Sequence, residues 1–185
     1  MPEDILNDAR SKMSKAVQVV DHELGSLRTG RANIHMLDPV QVNMYGNMMP
    51  LNQLATISTP DAATIMIQPW DKGALGPIEK AILQANIGLT PNNDGKLIRL
   101  NVPPLTEDTR KEMVRRSHQI AEDGRIAIRN VRRQANEEVK KREKESLLTE
   151  DERVKALERV QKLTDQQIAD VDQHLKRKED EIMNV

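Results

Sequence analysis

Arg125, Arg129, Arg132 and Arg133 are the residues whose type and spacing could do chemistry in this chain. The run Arg125-Ile-Ala-Ile-Arg129-Asn-Val-Arg132-Arg133 holds four arginines and no acid, on successive turns of any helix it forms. A guanidinium is a planar, permanently charged fork that matches phosphate oxygens, so a row at this pitch can follow a nucleic-acid backbone. Lys111, Arg115, His118, Glu122, Asn136 and Lys140 extend the same stripe, and Glu122 is its one acid. The competing explanation is a solvated helix face with intrahelical pairs such as Glu122 with Arg125, although such faces ordinarily mix their signs. Arg28 and Arg31 could widen the basic surface or simply cap the carbonyls of a helix end.

Other chemistry has little to stand on. His22, His35, His118 and His174 form no HxxxH or HExxH spacing, and the chain has no Cys, so neither a metal site nor a thiol nucleophile is expected. The histidines are read as surface or interface residues. No glycine-rich phosphate loop is present. The acidic pairs Glu107-Asp108 and Glu150-Asp151-Glu152 sit where helix starts favour negative charge. No catalytic residue and no cofactor is assigned.

The arginines need a long scaffold. Residues 106–145 contain no proline, and their small and apolar residues recur at helical spacing: Met113, Ile120 and Ala127, then Ser117, Gly124 and Val131, with Ile128 and Ala135 beside them. One helix of roughly 60 Å is predicted, at 1.5 Å rise per residue. Thr106 is its expected N-cap, after Pro103-Pro104 blocks continuation from upstream. A first helix is predicted over 3–28, with Leu6, Met13, Val17, Val20, Leu24 and Leu27 as its seam and Gly30 as its stop. A third begins at the capping box Thr149-Glu150-Asp151-Glu152. Its expected stripe is Val154, Leu157, Val160, Ile168, Val171, Leu175 and Ile182, weakened by Gln161, Thr164 and Lys178.

Between the first two helices the pattern changes. Val40, Val42 and Met44 alternate as in a half-buried strand before a Gly46-Asn47 turn. Residues 54–58 and 64–68 read as strands separated by Thr59-Pro60-Asp61. Pro77 can open a short helix that buries Ile78, Ala81, Ile82 and Ala85, with Gly88 beyond its end. Asn92-Asn93-Asp94-Gly95 is a turn before a last strand at 97–102. The predicted fold is α+β: an antiparallel three-helix bundle from residues 1–29 and 106–185, with a small β/α/β domain, 30–105, inserted. Two linker strands, Thr29-Gly30-Arg31 and Val102-Pro103-Pro104-Leu105, would form a joint that can bend.

Charge points back to the same helix. The net charge is −1, yet residues 106–145 carry 12 basic and 9 acidic groups against 7 and 10 over 149–185. No run approaches the length of a membrane span and the N-terminus is too polar for a secretory signal, so a cytosolic protein without membrane contact is expected. Tyr45 and Trp70 are the only aromatics, too few for a base-stacking platform.

With these features in place, the chain resembles the bacterial ribosome recycling factor family. Arg28-Thr29-Gly30-Arg31-Ala32, Val102-Pro103-Pro104-Leu105-Thr106-Glu107 and Arg129-Asn130-Val131-Arg132-Arg133 carry the resemblance, in order and spacing. Tyr45-Gly46 followed by Pro50-Leu51, and Asn86-Ile87-Gly88-Leu89-Thr90-Pro91, fit it too. The resemblance implies an L-shaped, tRNA-sized monomer whose helical bundle contacts large-subunit rRNA, with Arg28, Arg129 and Arg132 matching the rRNA-facing arginines. It implies a hinge at the two linkers and a partner, elongation factor G, facing the hinge and the second domain. The implied role is non-enzymatic: splitting the post-termination ribosome with that partner's GTP hydrolysis. Gly124 departs from the family's more frequent Ala and Gln134 from its usual acid; a mid-helix Gly costs about 0.5–1 kcal/mol relative to Ala. The alternatives are a helical adaptor whose arginines meet an acidic protein, and an enzyme with its site in the inserted domain.

Overall fold

The computed structural model describes residues 2–184. It divides into two compact units, one formed by residues up to Leu27 together with Arg110–Asn184, the other by Arg28–Thr109. The first is a three-helix bundle and the second a small α/β unit, an α+β protein in all. Among the described residues, no helix is long and apolar enough to cross a membrane.

The bundle is made of α1 (Glu3–Gly25), α3 (Glu107–Lys144) and α4 (Glu150–Met183). Ion pairs set their directions. Glu3 meets Arg159 at 2.5 Å and Asp21 meets His174 at 2.9 Å, so α1 runs parallel to α4. Asp4 accepts from Arg142, while Arg125 reaches Asp172 and Arg153 reaches Glu143, so α3 is antiparallel to both. The capping box of α4 is formed in both directions: Glu152 N–H donates to Thr149 Oγ1 at 3.2 Å and Thr149 N–H to Glu152 Oε2 at 3.0 Å. Thr106 Oγ1 accepts from Thr109 N–H at the start of α3.

The buried seam of α3 runs Met113, Ser117, Ala121, Gly124, Ile128, Ala135 and Val139, while Ile120, Ala127 and Val131 are half-buried. The expected seven-residue lines drift because α3 faces two helices, α1 and α4, and buries residues toward both. α1 ends at Gly25 rather than beyond Leu27. Ser26 closes it by donating its hydroxyl to Glu23 O at 2.7 Å, so Gly30 is not its stop. In α4, Val154 is exposed and Leu157 and Ile168 half-buried, whereas Thr164 and Lys178 are buried. Thr164 satisfies its hydroxyl on Val160 O at 2.8 Å, and Lys178 extends to Glu181 at 3.4 Å, so neither polar group interrupts the seam.

In the small unit, β1 (Gln41–Met44) and β2 (Asn47–Pro50) form a hairpin. Its turn is Tyr45-Gly46, both at positive φ (53° and 84°), one residue earlier than expected. A second sheet, in the order β3-β4-β6-β5, contains β3 (Ala55–Asp61), β4 (Thr64–Pro69), β5 (Pro91–Asn93) and β6 (Ile98–Asn101), paired antiparallel. Thr59-Pro60-Asp61 lies inside β3 rather than between strands. Pro60 is tolerated because β3 is an edge strand with an irregular register between Ser58 and Asp61. Asn92 and Asn93 likewise belong to a strand, and Asp94 makes the turn by accepting from Lys96 N–H and Leu97 N–H at 2.9 Å each. The helix α2 (Leu75–Ala85) starts two residues before Pro77 and ends on Asn86 in the left-handed region. Ile65, Ile67, Ile78, Ile82, Ile98 and Leu100 form the centre of this unit's core.

Gly124 is a point of tight side-chain packing between α3 and α1. A Cβ built there would collide with Val20 Cγ2 of α1, a stiff β-branched side chain that is itself buried. Gly124→Ala should therefore lower stability by about 1–2 kcal/mol, overpacking outweighing the roughly 1 kcal/mol gain in helix propensity. In a Val20→Ala background the sign should reverse, with Gly124→Ala stabilising by about 1 kcal/mol. Denaturant melts of the four variants check this; a stabilising Gly124→Ala in the parent would remove the packing explanation.

Candidate nucleic-acid interface

Long helix α3 carries the arginine row, and the structure gives each member a different partner. Arg125 is held hardest. Its Nε and Nη2 donate to Asp172 Oδ1 of α4 at 2.9 and 2.6 Å, and its Nη1 to Glu122 Oε2 at 3.0 Å. Its side chain is 20% exposed, so this guanidinium joins two helices before it can meet a ligand. One turn on, Arg129 Nη1 donates to the other oxygen of Glu122 at 3.2 Å, and its side chain is 42% exposed. Arg132 Nη1 donates to the neutral amide oxygen of Gln161 on α4 at 3.3 Å. Arg133 donates to Asn130 Oδ1 on its own helix.

Charge compensation therefore falls along the row. Arg125 faces two carboxylates and Arg129 shares one of them. Among the described residues, Arg132 and Arg133 form no ion pair with a carboxylate. The hydrogen bond from Arg125 holds the Glu122 carboxyl below its ordinary value; slight desolvation opposes this, and Arg129 adds to the lowering. Burial works against the charge of Arg125, yet the hydrogen bonds to Asp172 and Glu122 outweigh it and raise its pKa further. The pair of Glu122 with Arg125 weighed from the sequence is thus present. It covers one end of the stripe and leaves the Arg132–Arg133 end positive.

Arg28 belongs to the other unit. Its Nη2 donates to Ile87 O at 2.8 Å, and its guanidinium lies across Gly88, where an added Cβ would stand 2.7 Å from Nη2. Gly88 has φ 76°, so both backbone and close approach call for glycine there. The linker residues are tied to one hairpin end: Ala32 N–H donates to Ala62 O and Val102 N–H to Ala63 O, each at 2.7 Å. Thr29, Gly30 and Val102 are buried, Leu105 is half-buried, and Arg31, Pro103 and Pro104 are exposed; Gly30 has φ 76°.

Three histidines face acids: His118 meets Glu179, His174 meets Asp21 at 2.9 Å, and His35 meets Asp38 at 3.3 Å. Among the described residues, no three metal-ligating side chains cluster. The acceptors on α4, Asp172 and Gln161, are what sequence reading missed. Their signal is a spacing of about three turns on one helix, which means something only once the register of α4 against α3 is known.

The family model described as "Ribosome recycling factor" matches residues 20–183. A ribosome-recycling factor of Carboxydothermus hydrogenoformans is 51% identical over 185 residues, covering 100% of both chains. One from Rickettsia bellii is 52% identical over 176 residues, covering 95% of each. Among solved structures, a solution structure of the ribosome recycling factor matches with a TM-score of 0.81 and 44% identity, over 99% of this chain and 97% of that one. A chain from models of the T. thermophilus ribosome recycling factor and the E. coli elongation factor G on the E. coli post-termination complex matches with a TM-score of 0.67 and 47% identity, over 97% of each.

The unequal partners predict unequal roles in folding. Arg125→Ala should cost about 1 kcal/mol in a denaturant melt, because it breaks a tie between α3 and α4, whereas Arg132→Ala should stay within about 0.5 kcal/mol. Glu122's lowered pKa means its contribution is present above the ordinary glutamate value of 4.5 and fades as pH falls through the lowered value. The gap between parent and Arg125→Ala should therefore narrow below about pH 4. Equal stability losses at both arginines would contradict this division.

Proposed function

The chain belongs to the ribosome recycling factor family, and on that premise we propose that it recycles the post-termination ribosome by holding large-subunit rRNA with α3. It serves protein biosynthesis as a ribosome-binding recycling factor. The finer reading is that Arg129, Arg132 and Arg133 contact rRNA phosphates and that Arg125 buttresses them. Elongation factor G is the partner whose GTP hydrolysis drives the subunits apart, and this chain, a cytoplasmic monomer, contributes binding and shape rather than catalysis. The observation that carries the rRNA assignment is the guanidinium of Arg132, which is oriented by a neutral amide rather than by a carboxylate. A fork in that state is suited to phosphate oxygens.

Arg132→Ala should weaken binding to purified large subunits by about 1.5–3 kcal/mol in a sedimentation assay, and Arg132→Lys should restore part of it, since Lys keeps the charge but loses the fork. Parent binding should weaken with salt, with a log–log slope of roughly −2 to −4 for about three to five phosphate contacts. Parent-like binding by Arg132→Ala, or a flat salt response, would instead favour an apolar protein–protein interface.

The linkers at Thr29-Gly30-Arg31 and Val102-Pro103-Pro104-Leu105 are proposed as the hinge that lets the small unit move during splitting. Gly30 sits at φ 76°, where a β-branched residue is strained. Gly30→Val should leave large-subunit binding within about twofold while slowing splitting with the elongation factor by about tenfold or more, a barrier change of about 1.4 kcal/mol. Equal losses of both, with the bundle still folded, would argue against a separate hinge role.

A further inference from the structure

We propose that Gln161 is a positioning residue that aims Arg132, and that its neutrality is what makes it suitable. This rests on the rRNA reading above and extends it to a residue on a different helix.

Gln161 projects from α4 and its amide is oriented from both ends. Its Nε2 donates to Asp165 Oδ1 at 2.8 Å, one turn further along α4. That bond leaves Oε1 as the outward acceptor, which receives Arg132 Nη1 at 3.3 Å. Asp165 thus sets the direction of the amide, and the amide sets the direction of the guanidinium. A long Arg side chain loses several rotamers when it engages a ligand, and a partner that restricts it beforehand lowers that cost.

Arg125 shows the alternative. There Asp172, on the same α4, fixes the guanidinium with a carboxylate, as does Glu122, and two negative charges offset the one positive. At Arg132 the acceptor is an amide. The side chain is restrained while the charge stays available to a phosphate, and the other three N–H donors that Nη1 and Nη2 can offer are left to it. The carboxylate of Asp165 acts at one remove, through the amide, so its charge does not pair directly with Arg132.

Three variants test this in full-length protein, with sedimentation onto purified large subunits at several salt concentrations. Gln161 is exposed, so the folded state should tolerate change, and thermal melts within about 0.5 kcal/mol of the parent check it. Gln161→Ala should weaken binding about three- to tenfold, as expected for one lost pre-orienting hydrogen bond. Gln161→Glu restores an acceptor but pairs it with the charge; binding should weaken at least as much and the salt slope should become shallower by about 0.7–0.9, one phosphate contact. In an Arg132→Ala background, Gln161→Ala should change binding less than about 1.5-fold, because the residue it positions is absent. The inference is overturned if Gln161→Ala binds like the parent, or if it costs the same with and without Arg132. Should Arg132→Ala itself bind like the parent, the phosphate reading falls and this inference with it; weak Arg132→Ala with parent-like Gln161→Ala removes this inference alone.

Discussion

The bundle is fixed at one level by a side-chain contact, the seating of Val20 of α1 over Gly124 of α3. The space that glycine leaves is filled by Val20, with Val171 of α4 at its margin, so all three helices meet at one level. On one side of it the small residues Ser117 and Ala121, and on the other Ala135, continue the buried seam of α3. The ion pairs Glu3–Arg159, Asp4–Arg142 and Asp21–His174 lie outside that seam. Exposed pairs of this kind contribute little individually and serve mainly to choose register. In that register Asp172 meets Arg125 and Gln161 meets Arg132, so the presentation of the arginines depends on how α3 and α4 align.

Where the sequence was legible, local rules and tertiary structure agreed. The α4 capping box, the Thr106 cap and the long proline-free periodicity of α3 were all visible because each is decided within a turn or two of chain. Legibility failed where a neighbour decided the outcome. Pro60 looks like a strand breaker until β3 is known to be an edge strand with a register slip beside it. Thr164 and Lys178 look like flaws in a seam until their own helix satisfies one and a solvent-reaching stem accommodates the other. Gly124 read as a weakness in the helix, and the structure fills the space it leaves with Val20. For the arginine face, residue type and pitch fitted both a phosphate-binding surface and a solvated face, and did not say which members were already occupied. That distinction depends on side chains nearly fifty positions away for Arg125 and nearly thirty for Arg132, and no single-helix argument reaches them.

Four arginines that look equivalent on a helical wheel are therefore not equivalent. Two carboxylates turn Arg125 into a strut, Glu122 divides itself between Arg125 and Arg129, and a neutral amide leaves Arg132 charged and oriented. The charge of the row is thus compensated unevenly along one helix, most at Arg125 and least at Arg132 and Arg133. In the small unit Arg28, read from its place beside the linker as a possible extension of the basic surface, donates to Ile87 O and lies across Gly88.

The parallel contact between α1 and α4 has a consequence for how the molecule comes into being. On the ribosome α1 emerges well before α4, the partner that covers much of its seam. At synthesis rates of about 5–20 residues per second, Ile5, Leu6 and Met13 wait on the order of ten to thirty seconds for that cover. Through that interval the nascent chain holds an unpartnered apolar stripe beside an already foldable small unit, a state that invites chaperone capture or pairing with a neighbouring nascent chain. The polar flanks of α1, with Asp8, Lys12 and Lys15 exposed around its seam, offset that stripe with charge during that time.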